Sequence, residues 1–320
     1  MRPWTSLLLF VALSTAQLTS ASQSQDMLAY RALVQQDLRL ASVGYLLAKA
    51  SAPFCKRKSR NPGGVLHDKA QYPDPDIAQA AFGFRAAVAL SAVVPGSTAE
   101  AIGLKPGDGI IAVNDLTVSG LPFAKNKRAS ARLETVQNIL SDAFDASDPV
   151  KITLETANGR EQFAINPAAI CASRFWVDTK SRLDAGADGV SVRVTEGLLD
   201  FTEKNDSELA AIVAHEMSHN LLGHRQRLAT SGKSNKEILA TEIEADRLSV
   251  WLMANAGYDT AAALRFAERY GRKSGLGIFS AGTHLRWKNR QRVMQLEIAR
   301  IASVPAEHGL RPPPLLMTSE

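Results

Sequence analysis

The sequence predicts an α+β protein in which a mostly helical body carries an inserted, compact β-rich module. Three observations carry this. Apolar residues keep helical spacing over most of residues 168–320, whereas residues 77–166 change to short β-like runs broken by turns. A further helical stretch, residues 25–50, lies ahead of those runs, so the module interrupts the helical body. The 320 residues are 45% hydrophobic and 22% charged, which allows about two domains and excludes wholesale disorder and collagen-like or coiled-coil architectures. The expected division is 1–21, 22–76, 77–166 and 167–320.

Residues 1–21 carry one positive charge, Arg2, an apolar run over 7–13, and small residues at Ser14, Ala16, Thr19 and Ala21. The run is far shorter than the roughly 20 apolar residues that a membrane span needs, so the segment reads as a cleaved signal peptide. An exported protein follows, periplasmic or alternatively secreted, with no stable membrane insertion after cleavage. The net charge is +5, and the basic residues are scattered without interleaved aromatics, which speaks against nucleic acid as a partner. Export also bears on Cys55 and Cys171, because an oxidising compartment permits a disulfide. Two separate buried thiols are the alternative reading. If paired, they close a loop worth at most about 4.7 kcal/mol in chain entropy.

Residues 25–50 place Leu28, Leu33, Val34, Leu38, Val43, Leu46 and Leu47 at helical spacing, with Gly44 as the weak point. Residues 61–75 collect Asn61, Pro62, Gly63, Gly64, Pro73 and Pro75 and read as a linker. Strands are expected over 87–94, 109–114, 150–156 and 161–165, the last two joined at Asn158-Gly159, a type I′ hairpin signal. A helix is expected over 129–144, from Leu133, Val136, Ile139, Leu140 and Phe144.

Residues 94–114, from Val94-Pro95-Gly96-Ser97 through Lys105-Pro106-Gly107-Asp108 to Asn114, closely resemble the core signature of PDZ domains. Pro95-Gly96 suits a turn, Ser97 a helix cap, and Pro106-Gly107-Asp108 a return into a strand. The resemblance implies a groove for extended peptides, C-terminal tails among them, bound by strand addition. Ala81-Phe82-Gly83-Phe84 resembles the carboxylate-binding loop and the edge strand after it. The alternative is that Phe82 and Phe84 are core aromatics on a strand.

His215-Glu216-Met217-Ser218-His219 is an H-E-x-x-H motif within a helix expected over 207–224, capped by Asp206 or Ser207. Spacing of four puts both imidazoles on one face, where two nitrogens can reach one Zn²⁺, and Glu216 beside them can take a proton from water. Leu209, Ile212, Val213, Met217, Leu221 and Leu222 make the helix apolar over most of its circumference, as for a buried helix. A third ligand is needed. His224 is out of phase with a third-histidine pattern and reads as a charged helix-end residue that suits the C-terminal dipole. On a second helix, residues 236–255, Glu242 and Asp246 share a stripe with Leu239, Val250 and Met253, and Glu244 is the rival carboxylate on the far side.

This combination resembles the family M48 metallopeptidases, and the likeness extends over about residues 185–301. The resemblance implies one Zn²⁺ per chain held by His215, His219 and Glu242, with Glu216 as general base and Asp246 orienting a ligand imidazole. Gly282-Thr283-His284, followed by Arg290 and Arg292, is similar to the family's C-terminal segment, with Leu285 where the family has proline. His284 is thus a candidate for gating the site or stabilising the oxyanion, or else a loop histidine, and either arginine can match the family's. The implied activity is a zinc metalloendopeptidase cutting damaged or misassembled envelope proteins, with the PDZ-like module recruiting or gating protein or peptide substrates. A strand over 189–195 offers an edge for substrate pairing. The alternative function is a noncatalytic PDZ-based holdase or adaptor with a structural zinc site.

Overall fold

The computed structural model describes residues 9–122, 130–274 and 287–317, with side chains from residue 23. Helix α1 (Leu9–Ser51) runs through part of the expected signal segment and on through the helix expected over 25–50. Its buried side chains Leu40, Val43, Leu47 and Ala48 join the core of the helical body. Gly44 is there for contact: a Cβ on it would stand 2.6 Å from the Phe175 ring, so only glycine lets that aromatic lie on the helix. Among the described residues no helix is long and apolar enough to cross a membrane.

After β1 (Lys58–Arg60) the chain enters the module, which begins earlier than expected. Strand β2 (Gly64–Asp68) lies in the stretch read as linker, and helix α2 (Pro75–Phe82) follows it. Next come β3 (Val88–Val93), α3 (Thr98–Ala101), β4 (Gly109–Val113), β5 (Leu116–Thr117), α4 (Ala131–Ala146), β6 (Val150–Thr156) and β7 (Gly159–Ile165). The sheet is antiparallel in the order β2-β3-β4-β6-β7, with β5 paired to β4. Alternate residues of β3, β4 and β6 bury Val88, Leu90, Ile110, Ile152 and Leu154 against Val136 of α4, a core separate from that of the body. Ser97 caps α3 as expected, its hydroxyl accepting from the Glu100 amide. The hairpin between β6 and β7 is present but is not type I′. Thr156 pairs with Gly159, and positive φ falls on Gly159 and not on Asn158, whereas type I′ needs it at both central residues.

Ala81-Phe82-Gly83-Phe84 does not form a loop and edge strand. Asp74 caps α2, accepting from the Asp76 and Ile77 amides at 2.9 and 3.0 Å, and Pro75 occupies the first turn, so residues through Phe82 are helical. Gly83 ends the helix in the left-handed region, and Phe84 turns inward, stacking on His67 with ring centroids 4.0 Å apart. Tyr72 and Phe82 complete the box, and the Tyr72 hydroxyl lies 2.9 Å from His67 Nδ1. Burial holds the His67 imidazole down at about 3. Because its folded value lies below its unfolded one, stability is full above about pH 6.5 and falls as the unfolded chain takes up a proton below it. The loss should reach about 2 kcal/mol by pH 5. Urea unfolding between pH 7.5 and 5 checks this: His67→Phe should flatten the slope, and an unchanged slope would exclude His67 as its source.

The chain leaves the module through β8 (Ala169–Cys171), which pairs antiparallel with β1, Lys58 opposite Cys171. Cys55 and Cys171 form a disulfide with Cα atoms 5.5 Å apart, so both crossings are fastened at one neck.

The body continues with β9 (Arg174–Asp178), β10 (Ala185–Ala187), β11 (Ser191–Thr195), α5 (Glu196–Phe201), α6 (Asp206–Leu221), α7 (His224–Ser231), α8 (Asn235–Asn255), α9 (Ala261–Ser274), α10 (Trp287–Ser303) and α11 (Pro314–Met317). Its three strands run in the order β10-β11-β9. The strand expected over 189–195 is therefore the central one, paired on both sides, and offers no edge for substrate; the edge on the side of α6 is β10. Around this sheet α1, α6, α8, α9 and α10 share one apolar core that includes Leu209, Met217, Leu248, Trp251, Phe266 and Met294.

Candidate metal centre

Helix α6 is buried along most of its length, as its sequence predicts, and is capped by Asn205, whose side chain accepts from the Ser207 and Glu208 amides at 3.1 Å. Asp206 and Ser207, the expected caps, sit one and two residues inside. The helix ends earlier than expected. Gly223, with φ of 65°, turns the chain so that His224 opens α7 instead of closing α6. Helix α8 packs along α6 and brings Glu242 and Asp246 against the H-E-x-x-H face.

His215, His219 and Glu242 converge. The two histidine Nε2 atoms are 3.2 Å apart, and each lies 3.5 Å from an oxygen of Glu242. A tetrahedral Zn²⁺ site with bonds of about 2.0–2.1 Å separates its ligand atoms by about 3.3–3.4 Å, so the donor set fits such an ion in both chemistry and spacing.

Each imidazole is held from behind through its other nitrogen. His215 Nδ1 lies 3.0 Å from Asp246 Oδ1, and Arg290 of α10 grips both oxygens of Asp246, with Nε donating at 2.8 Å. Arg290 and Asp246 are almost wholly buried. Burial and the Arg290 charge push His215 down, yet Asp246 and Glu242 outweigh them and hold it up at about 9. Burial raises Asp246 too, but Arg290 prevails and keeps it below the usual carboxylate range. These acids favour a cation at the His215 ring. His219, by contrast, is lowered to about 3 by burial and by His215 beside it, which keeps it in the neutral form that ligates metal.

His219 Nδ1 lies 2.9 Å from His224 Nδ1, His224 Nε2 lies 3.0 Å from Glu244 Oε2, and Arg227 donates to that same oxygen at 2.8 Å. His224 is thus not the charged, dipole-facing residue expected. It is buried, its pKa is lowered by that burial, and it forms the back support of a ligand imidazole. Glu244 is not a rival ligand, nor simply solvated, but the anchor of that chain. Ligand supports of this kind are worth about 10- to 100-fold in metal affinity, so His224→Ala should weaken Zn²⁺ binding by that factor in chelator competition. Wild-type affinity would remove His224 from the site.

Glu216 is buried beside the triad, and its Oε1 has no hydrogen-bond partner among the described residues. Burial raises its carboxyl to about 7. Of the two arginines left open by sequence, Arg290 reaches the site and Arg292 is exposed. Gly282, Thr283 and His284 lie outside the described residues. A cleft of about 450 Å³ opens on Glu216, His219 and Glu242, with β10 along one side.

The model for peptidase family M48 matches residues 173–241, a span that carries β9 through α7 and stops one residue short of Glu242. No curated protein matches the chain.

Proposed function

We propose that the chain is an exported zinc metalloendopeptidase acting on damaged or misassembled envelope proteins, with the β-rich module serving as a PDZ-like device that recruits or gates substrates. The observation that carries the reading is the convergence of His215 Nε2, His219 Nε2 and Glu242 on one point beside Glu216 Oε1, which has no hydrogen-bond partner among the described residues. The M48 match over the sheet and α6 supports it, and the disulfide supports export to an oxidising compartment such as the periplasm.

His215, His219 and Glu242 would hold the ion, and Asp246 with Arg290, and His224 with Glu244, fix the two rings. Zn²⁺ bound there would supply a Lewis acid for the scissile carbonyl and would lower the pKa of water toward about 7. Glu216 Oε1 accepts a proton from the attacking water and delivers it to the leaving amine. The backbone of β10, an edge with no further strand beside it among the described residues, offers hydrogen bonds to an extended peptide lying in the cleft.

Zinc analysis together with cleavage of a denatured protein substrate tests the reading. One equivalent of zinc per chain is expected, with strong loss in Glu242→Ala and little in Glu244→Ala. Bound zinc without cleavage of any substrate would overturn it in favour of a noncatalytic holdase.

A further inference from the structure

The cleft beside the metal triad has two unlike walls. One is β10, whose Gly186 and Ala187 are half-buried and carry no side chain beyond Cβ, with Ala185 buried beside them; the other, from α7 and the start of α8, presents Leu228 and Ile238. Two cations also line the second wall: Arg225, the second residue of α7, and Lys233, in the connection to α8. Both are exposed, and neither side chain makes a hydrogen bond or ion pair with any described residue. Their neighbour Arg227 differs, being tied to Glu244.

Among the described residues the acids lining the cleft are Glu216 and Glu242, both buried and both assigned to the metal chemistry. Asp188, in the turn after β10, is not part of the cleft lining, and its Oδ1 accepts from the Val190 and Ser191 amides at 2.9 and 2.7 Å. Arg225 is not loose in solvent, because its Cδ lies 3.6 Å from the point where a Cβ on Gly189 would stand. The side chain therefore rests against the turn at the end of β10. Two like charges on one wall of a concave site, with no ion-pair partner among the described residues, favour anionic partners there and disfavour cationic ones.

Resting on the peptidase reading, we infer that this cleft selects extended peptides carrying an acidic side chain close to the scissile bond, on the side toward α7, and that Arg225 and Lys233 are the selecting residues. An aspartate or glutamate on a strand laid along β10 would face these cations, while Leu228 and Ile238 take the apolar part of the chain. Lysine at the same place would add a third like charge.

The test uses peptides capped at both ends, so that no terminal carboxylate competes, each with Glu, Gln or Lys scanned through the positions flanking the bond. Binding is read by fluorescence anisotropy on zinc-loaded Glu216→Gln protein, and cleavage on the wild type. At one position the Glu peptide should bind about 10-fold tighter than the Lys peptide, and the gap should shrink in about 0.5 M salt. The pair Arg225→Glu and Lys233→Glu should invert the order, and Arg225→Gln with Lys233→Gln should abolish it. Equal binding of Glu and Lys peptides at every position, or a preference that the charge reversal leaves in place, would overturn the inference. Cleavage without acidic preference removes this inference alone, whereas neither binding nor cleavage removes the peptidase reading and this inference with it.

Discussion

Glu216→Gln is expected to cut peptide turnover by about 10²- to 10⁴-fold while zinc content and the unfolding midpoint stay at or above wild-type values. Gln has the size and shape of Glu but no basic oxygen, so it cannot take the proton that water must lose. Its neighbours lose little, since Oε1 of Glu216 has no partner among the described residues. Burying the carboxylate is itself unfavourable, as its raised pKa records, and the amide relieves that cost. The loss should appear in kcat with KM nearly unchanged, because the proton transfer belongs to the transition state. Wild-type turnover in a zinc-loaded variant would mean that another group is the base.

Arg290→Leu should cost about 3–5 kcal/mol of folding stability, measured by urea unfolding, because it leaves Asp246 as an uncompensated charge in the interior. Asp246 is 1% exposed and Arg290 4%, so water cannot replace the missing partner. Zinc affinity should fall as well, since Asp246 orients His215 through Nδ1. Adding Asp246→Asn removes the orphaned charge and should restore much of the stability but not the zinc affinity, which separates the two roles of the pair. A cost below about 1 kcal/mol in the single variant would show that the pair is hydrated.

The parts of this site that sequence disclosed are those in which chemistry and periodicity coincide locally. His215, Glu216 and His219 occupy one helical turn, and Glu242 and Asp246 stand out as carboxylates on an apolar stripe. Arg290 was ambiguous with Arg292 because a basic helix shows several arginines, and only packing decides which one turns inward. The role of His224 is not legible in the sequence because it depends on the turn at Gly223 and on a partner twenty residues away; the glycine directly before it is the one local sign that it belongs to a new helix. Strand β10 is Ala-Gly-Ala, with no β-forming side chain to announce it, and its place is fixed by pairing with β11. Strand β2 hid behind Asn61-Pro62-Gly63-Gly64, where the breakers start a strand rather than a linker. Helix α2 left a legible signal in Asp74-Pro75, an N-cap followed by proline.

The neck formed by Cys55, Cys171 and the paired strands β1 and β8 has a consequence for survival among proteases. A single backbone cut anywhere between those cysteines opens a covalent ring instead of dividing the molecule, because the disulfide still joins the two pieces. A nicked chain therefore keeps its helical body fastened to both halves of the module, and the body's own core and metal triad lose none of their residues. Such damage changes the size of the protein only once the disulfide is reduced. The same short span puts the two crossings within reach of a linker of a few residues, with the cysteine Cα atoms only 5.5 Å apart, while α2, β2 and β3 keep the module packed on α1 and Val94 reaches into the body's core.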